Sequence, residues 1–172
     1  FPKLDVFTRE LIRKFPPIHN GFHTVQLDGG RVFLSLLYGP IEHMLSGLIA
    51  NVDAWYMDGF APRKNSDMWS PKVIEEISRL SHFGTRIATF TVSGQVQRDL
   101  NAAGFQMERV SGFGSKRECL RGKFVGENAK SNLPPYFELQ RPIATSSRIA
   151  IIGGGIAGAA LADALRVNGI SA

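Results

Sequence analysis

The sequence predicts an α/β protein in which one layered domain occupies most of the chain and is followed by a linker and the first β-α unit of a dinucleotide-binding domain. Three observations carry this reading. Over residues 1–125, apolar runs of strand length alternate with segments of helical spacing. Residues 126–147 are polar and proline-bearing, with Asn128, Ser131, Asn132, Pro134 and Pro135, the composition of a linker. Residues 148–172 open on Arg148-Ile149-Ala150-Ile151-Ile152 and run into Gly153-Gly154-Gly155-Ile156-Ala157-Gly158, an apolar run, a glycine turn and a small-residue helix.

The elements follow in order. Residues 23–27 and 31–38 read as strands around the turn Asp28-Gly29-Gly30. Residues 41–49 read as a short helix and 52–57 as a second apolar strand. Residues 67–80 read as a helix, with Met68, Val73, Ile74, Ile77 and Leu80 at helical spacing. The sheet resumes at 86–91. A helix over 93–103 ends at Gly104, and 105–110 with 117–124 form a closing hairpin around Gly112-Phe113-Gly114. This alternation predicts a sandwich with a largely parallel sheet.

Residues 149–152 suit a buried parallel strand, and the Ala- and Leu-rich 157–167 suits a helix packed on it. Gly153 permits the tight turn, Gly155 lacks the side chain that would block a pyrophosphate, and Gly158 lets helix and strand approach. The alternative is a small-residue turn without a ligand. A membrane span is not expected, because the uncharged run 149–162 is short and broken by glycines. The chain starts at Phe1 and stops at Ala172, soon after the motif. We therefore expect an excerpt of a longer protein.

Composition bounds the class. With 44% hydrophobic and 20% charged residues, the chain can build a core and suits a soluble globular protein. The single cysteine, Cys119, excludes an internal disulfide framework and fits a reducing compartment such as the cytoplasm. His19, His23, His43 and His82 show no metal-ligand spacing with Cys119, so no metal is expected. The net charge of +5 suits a polyanionic partner such as RNA or, equally, an ordinary basic surface.

Chemistry is expected where a strand ends, because open α/β sheets bind ligands beyond the carboxyl ends of their strands. Asp53-Ala54-Trp55-Tyr56-Met57-Asp58-Gly59-Phe60-Ala61-Pro62 is the best such place. Asp58 stands where the apolar strand gives out, before a glycine and an aromatic that can stack on a base. The bland reading has Asp58 capping a turn, with Phe60 and Trp69 in the core. From the residues alone both readings stand.

The segment from Asp53 through Pro62, Arg63, Lys64, Asn65 and Asp67 to Trp69, the block Ala88-Thr89-Phe90-Thr91, the block from Gly112 to Glu118, and the final glycine motif together resemble the MnmC family of bifunctional tRNA 5-methylaminomethyl-2-thiouridine biosynthesis proteins. All four blocks keep the family's order, and the resemblance covers nearly the whole chain. It implies that 1–125 is the C-terminal portion of a Rossmann-like class I methyltransferase sheet, dependent on S-adenosylmethionine (SAM), and that 148–172 begins an FAD-dependent oxidoreductase domain. It also implies the reactions. The flavin domain converts the carboxymethylaminomethyl side chain of a tRNA wobble uridine to aminomethyl, and the methyltransferase domain then methylates that amine.

On this resemblance Asp58 orients the amine and accepts or balances its proton. Phe60 and Pro62 shape a pocket for the uracil, and Trp69 is either a stacking surface or the anchor of the following helix. Two basic clusters would grip tRNA phosphates: Arg63 with Lys64 beside the Asp58 loop, and Lys116, Arg117, Arg121 and Lys123 on the closing hairpin. Gly153, Gly155 and Gly158 would meet the FAD pyrophosphate. The SAM loop and its ribose acid belong upstream of Phe1, and Pro40 stands where the family pattern has an acidic residue near the adenine. We therefore expect the excerpt alone to catalyse neither reaction. Two other readings remain at this stage: a different flavin or nicotinamide oxidoreductase with an unrelated N-terminal region, and a noncatalytic basic tRNA-binding remnant.

Overall fold

The computed structural model describes residues 4–59, 62–112, 114, 117–127, 149–152 and 155–167. The chain divides into two compact units, Phe1–Tyr38 with Gln140–Ala172, and Gly39–Leu139.

In the first unit, helix α1 (Asp5–Lys14) precedes a hairpin of β1 (Gly21–Leu27) and β2 (Val32–Tyr38). The sequence predicts the hairpin but not α1. The helix begins with an acid, Asp5, and ends with Arg13 and Lys14, charges that complement its dipole. Glu10 and Lys14 tie it to the hairpin: Lys14 Nζ donates to Gln26 O at 2.7 Å and Glu10 Oε2 accepts from Asp28 N at 3.0 Å. Hydrogen bonds to Lys14 first, and to Asp28 N second, hold the Glu10 carboxyl below its ordinary range. The turn needs left-handed backbone at Asp28 (φ 54°) and at Gly29 (φ 62°), which Asp tolerates and glycine adopts freely.

The same unit contains α5 (Ile156–Val167). Residues 149–152, expected as a buried parallel strand, form no strand, and Ile152 is fully exposed. The physical reason is that a helix closes its hydrogen bonds within itself, as Ala159 N does to Gly155 O at 2.9 Å, whereas a parallel strand needs a neighbour. Among the described residues none pairs with 149–152. Most of the expected linker, 128–147, lies outside the described residues.

The second unit runs α2 (Ile41–Ser46), β3 (Val52–Met57), α3 (Pro71–Leu80), β4 (Ser81–Thr89), α4 (Gly94–Ala102), β5 (Phe105–Ser111) and β6 (Glu118–Phe124). Its sheet has the order β3-β4-β6-β5. Only the β3–β4 pairing is parallel, while β6 runs antiparallel to both β4 and β5. The expected largely parallel sheet is thus corrected to a mixed one. The closing hairpin inserts β6 between β4 and β5, and a hairpin strand must run against the strand it follows.

Helices α3 and α4 cover one face of this sheet. Val73, Ile74, Ile77, Leu80, Val96 and Leu100 are buried there, against Ile87, Phe105, Leu120 and Phe124 from the strands. The opposite face carries the alternate residues, among them Tyr56, Arg86, Arg121 and Lys123. The expected 67–80 helix is split, because a 3-10 turn (Asp67–Trp69) comes first and α3 starts at Pro71. Ser70 caps α3, its hydroxyl accepting from Val73 N, and proline at the first helical position lacks an N–H that would have had no partner. Where β3 and β4 slip register, Val52 aligning with Ser81 but Ala54 with Arg86, the Thr85 hydroxyl donates to Val52 O at 2.5 Å in place of a ladder bond.

Candidate active site

The β3 strand delivers Asp58 to its carboxyl end. Asp58 is exposed, and its backbone N–H donates to Tyr56 O at 3.0 Å. Gly59 follows in a close passage, where an added Cβ would run into Met68 Sδ and force that side chain aside. Met68 belongs to the 3-10 turn whose last residue, Trp69, is only 8% exposed. That burial is what an anchor of the next helix requires. Pro62 is half-buried, whereas Arg63 and Lys64 are exposed. Phe60 lies outside the described residues.

Strand register brings further groups to this end of the sheet. Met57 pairs with Thr89, and Thr89 with Leu120. Asp58, Phe90 and the start of β6 with Arg117 therefore share one edge. Phe90 is 51% exposed. Two successive hydroxyl turns, Thr91 N to Thr89 Oγ1 and Ser93 N to Thr91 Oγ1, each 3.3 Å, lead β4 into α4. Arg109 braces this segment by donating to Val92 O at 3.3 Å, and it lies 3.9 Å from Glu118. Sequence reasoning misses Arg109 because its partners are set by strand pairing and not by spacing.

The basic cluster expected on the closing hairpin is divided by the same register. Arg117 is exposed at the Asp58 end. Lys123 pairs with Arg86 toward the other end and sits 5.3 Å from the centre of the Phe83 ring. Arg121 is bound to Glu108 at 2.7 Å. Lys116 lies outside the described residues. Of the glycines read as cofactor-binding, Gly153 also lies outside them, Gly155 is exposed, and Gly158 is inside α5.

The opposite end of β3 carries a separate pair. His82 Nε2 lies 3.0 Å from Asp53 Oδ1 and His82 Nδ1 lies 3.0 Å from Phe83 O. Both ring nitrogens face acceptors, so only the imidazolium satisfies both. The Phe83 carbonyl first, and Asp53 second, raise the His82 pKa above its ordinary value. The stability this gives is fully present below the unfolded pKa and is lost as pH rises through the higher folded one. An NMR titration of the His82 ring should show the raised value, and Asp53→Asn should lower it only in part. A full return to the ordinary value would assign the whole effect to Asp53.

Among the described residues, no group of His, Cys, Asp or Glu could hold a metal ion, and no helix is long and apolar enough to cross a membrane.

This α/β unit, with an exposed carboxylate at the end of a parallel strand, belongs to a known class: residues 2–124 match the S-adenosyl-L-methionine-dependent methyltransferase model, and the chain is a member of that family. The relatives bear out the MnmC resemblance. The tRNA 5-methylaminomethyl-2-thiouridine biosynthesis bifunctional protein MnmC of Magnetococcus marinus is 50% identical over 99% of this chain. The protein of the same name from Pseudomonas syringae is 44% identical over 98%. The chain spans 26% of the length of each. Among solved structures, the crystal structure of MNMC2 from Aquifex aeolicus matches with a TM-score of 0.55 at 19% identity, over 76% of this chain and 43% of that one. At that identity the likeness concerns the fold alone.

Proposed function

We propose that this chain is part of a bifunctional tRNA-modifying enzyme, its residues 1–125 contributing to a SAM-dependent methyltransferase and 148–172 opening an FAD-dependent oxidoreductase, with 126–147 between them. The observation that carries the reading is Asp58, an exposed carboxylate at the carboxyl end of a parallel strand in a sheet of this methyltransferase family.

SAM, when bound, supplies the methyl group. Asp58 orients the aminomethyl nitrogen of the wobble uridine and takes the proton that the nitrogen gives up as its bond to carbon forms. Phe60 and Pro62 line the uracil, and Trp69 holds the loop against the core. FAD, when bound, would accept a hydride from the carboxymethyl carbon beside the nitrogen in the earlier step, and water would hydrolyse the resulting imine, releasing the two-carbon fragment as an aldehyde acid and leaving the aminomethyl group. The described residues fit it at one point: a side chain at Gly155 would meet nothing within 4 Å. Among the described residues no packing there demands glycine, whereas a pyrophosphate approaching the backbone would.

The test uses the full-length protein with tRNA from cells lacking this activity, read by nucleoside mass spectrometry. With FAD alone, aminomethyl-2-thiouridine should accumulate, and adding SAM should convert it to the methylaminomethyl form. Absence of both products would overturn the reading.

Arg63, Lys64, Lys116 and Arg117 are proposed to hold tRNA phosphates, and a cytoplasmic location accords with a tRNA substrate. Replacing Arg63, Lys64 and Arg117 with Gln should weaken tRNA binding and flatten its dependence on log salt by about 0.7–0.9 for every phosphate that is no longer neutralised. An unchanged slope would place these residues off the RNA.

A further inference from the structure

We infer that Glu42 is a positioning residue for methyl transfer, acting through Ser70 on the loop that carries Asp58. The inference rests on the methyltransferase reading above.

The loop over 58–69 joins β3 to α3. At its first end it is held by the strand and by the tight passage of Gly59 past Met68. At its second end it is held by Ser70, next to the buried Trp69. The Ser70 hydroxyl has one proton, which it donates to Glu42 Oε1 at 2.7 Å. With the proton so placed, its lone pairs remain for Val73 N, at 3.3 Å, and the α3 cap is complete. Glu42 thus selects the rotation of the hydroxyl that caps the helix, and a charged acceptor makes that bond strong.

Glu42 can do this because its own helix is fixed. Met44 and Leu45 are buried on α2. At the carboxyl end of the helix, Arg79 Nη2 donates to Leu45 O and Leu48 O, each at 2.9 Å, while Glu76 pairs with the same guanidinium at 2.6 Å. The α2 segment is therefore fastened to α3 near both ends. Lys72 Nζ lies 3.9 Å from the other Glu42 oxygen, a longer contact that does not bear on the Ser70 hydroxyl.

The experiment measures methyl transfer to aminomethyl tRNA by the full-length protein, with Glu42→Ala, Glu42→Gln, Ser70→Ala, the Glu42→Ala/Ser70→Ala double variant and Lys72→Ala. Displacing a reacting group slightly costs rate more than affinity. Glu42→Ala and Ser70→Ala should each lower kcat on the order of tenfold, with KM for SAM within about twofold. The double variant should be no slower than the slower single one, because both remove the same link. Glu42→Gln should restore most of the rate, since an amide oxygen accepts the same hydroxyl, and Lys72→Ala should leave it unaltered.

An unchanged kcat in Glu42→Ala, equal losses in Glu42→Ala and Glu42→Gln, or losses that multiply in the double variant would overturn the inference. If Glu42→Ala also loses the flavin step it is misfolded, and Ser70→Ala with Glu42→Gln then decides. Amide exchange at Val73 is read in parallel. If wild-type protein transfers no methyl group, the functional reading fails and the inference with it. If transfer proceeds but Val73 is equally protected in wild type and Glu42→Ala, the inference alone fails.

Discussion

Asp58→Ala in the full-length protein is expected to abolish formation of the methylaminomethyl group while aminomethyl-2-thiouridine still accumulates in the presence of FAD. Losing a positioned carboxylate that orients an amine and receives its proton costs about 10²–10⁴-fold in rate. On the proposed function the flavin step would draw on residues outside this sheet, and it should proceed at the wild-type rate. The control lies on the same strand. Asp53 is 93% exposed at the far end of β3, with His82 as its partner, and Asp53→Asn should leave methylation intact. Methylation by Asp58→Ala at near wild-type rate would remove Asp58 from the chemistry and return it to the turn-capping role that the sequence also allowed.

Phe124→Ala is expected to produce the largest loss of stability in the second unit, about 3–5 kcal/mol. Phe124 closes β6 at 1% exposure, with its ring 4.9 Å from that of Phe105 in an edge-on arrangement. Its removal vacates a space bounded by backbone: Gly104 and Gly126 stand so close that an added Cβ on either would press on the ring. Backbone collapses into a void less readily than side chains do, which favours the upper part of that range. Val125, the next residue, is 40% exposed. Val125→Ala should stay within about 0.5 kcal/mol, because its hydrogen bond to Gly104 O is made by the main chain. Denaturant unfolding read by amide exchange across β4 to β6 would measure both, and equal losses would contradict the account.

How far the sequence could be read depended on the reach of each interaction. The β1–β2 hairpin, β3 and the buried stripe Val73, Ile74, Ile77 and Leu80 were legible, because turn residues and periodic burial are local signals. The break at Ser70-Pro71 was also local, a serine cap followed by proline, yet the continuous apolar spacing through Met68 concealed it. The direction of the sheet went wrong where β6 enters between β4 and β5. Its residues do not say which of two free edges the hairpin will join.

The same division holds at the site. By itself the sequence determined the family, the end of β3 at which Asp58 stands, and the glycine after it, since these depend on residue types in succession. Tertiary structure alone decided that Arg117 lies at the Asp58 end while Lys123 lies toward the other, that His82 meets Asp53, and that Glu42 reaches Ser70 from 28 residues away. Each of those contacts exists only after a register is chosen and a helix is docked. Register and docking are settled by burying the whole apolar face at once, which no fixed spacing in the chain records.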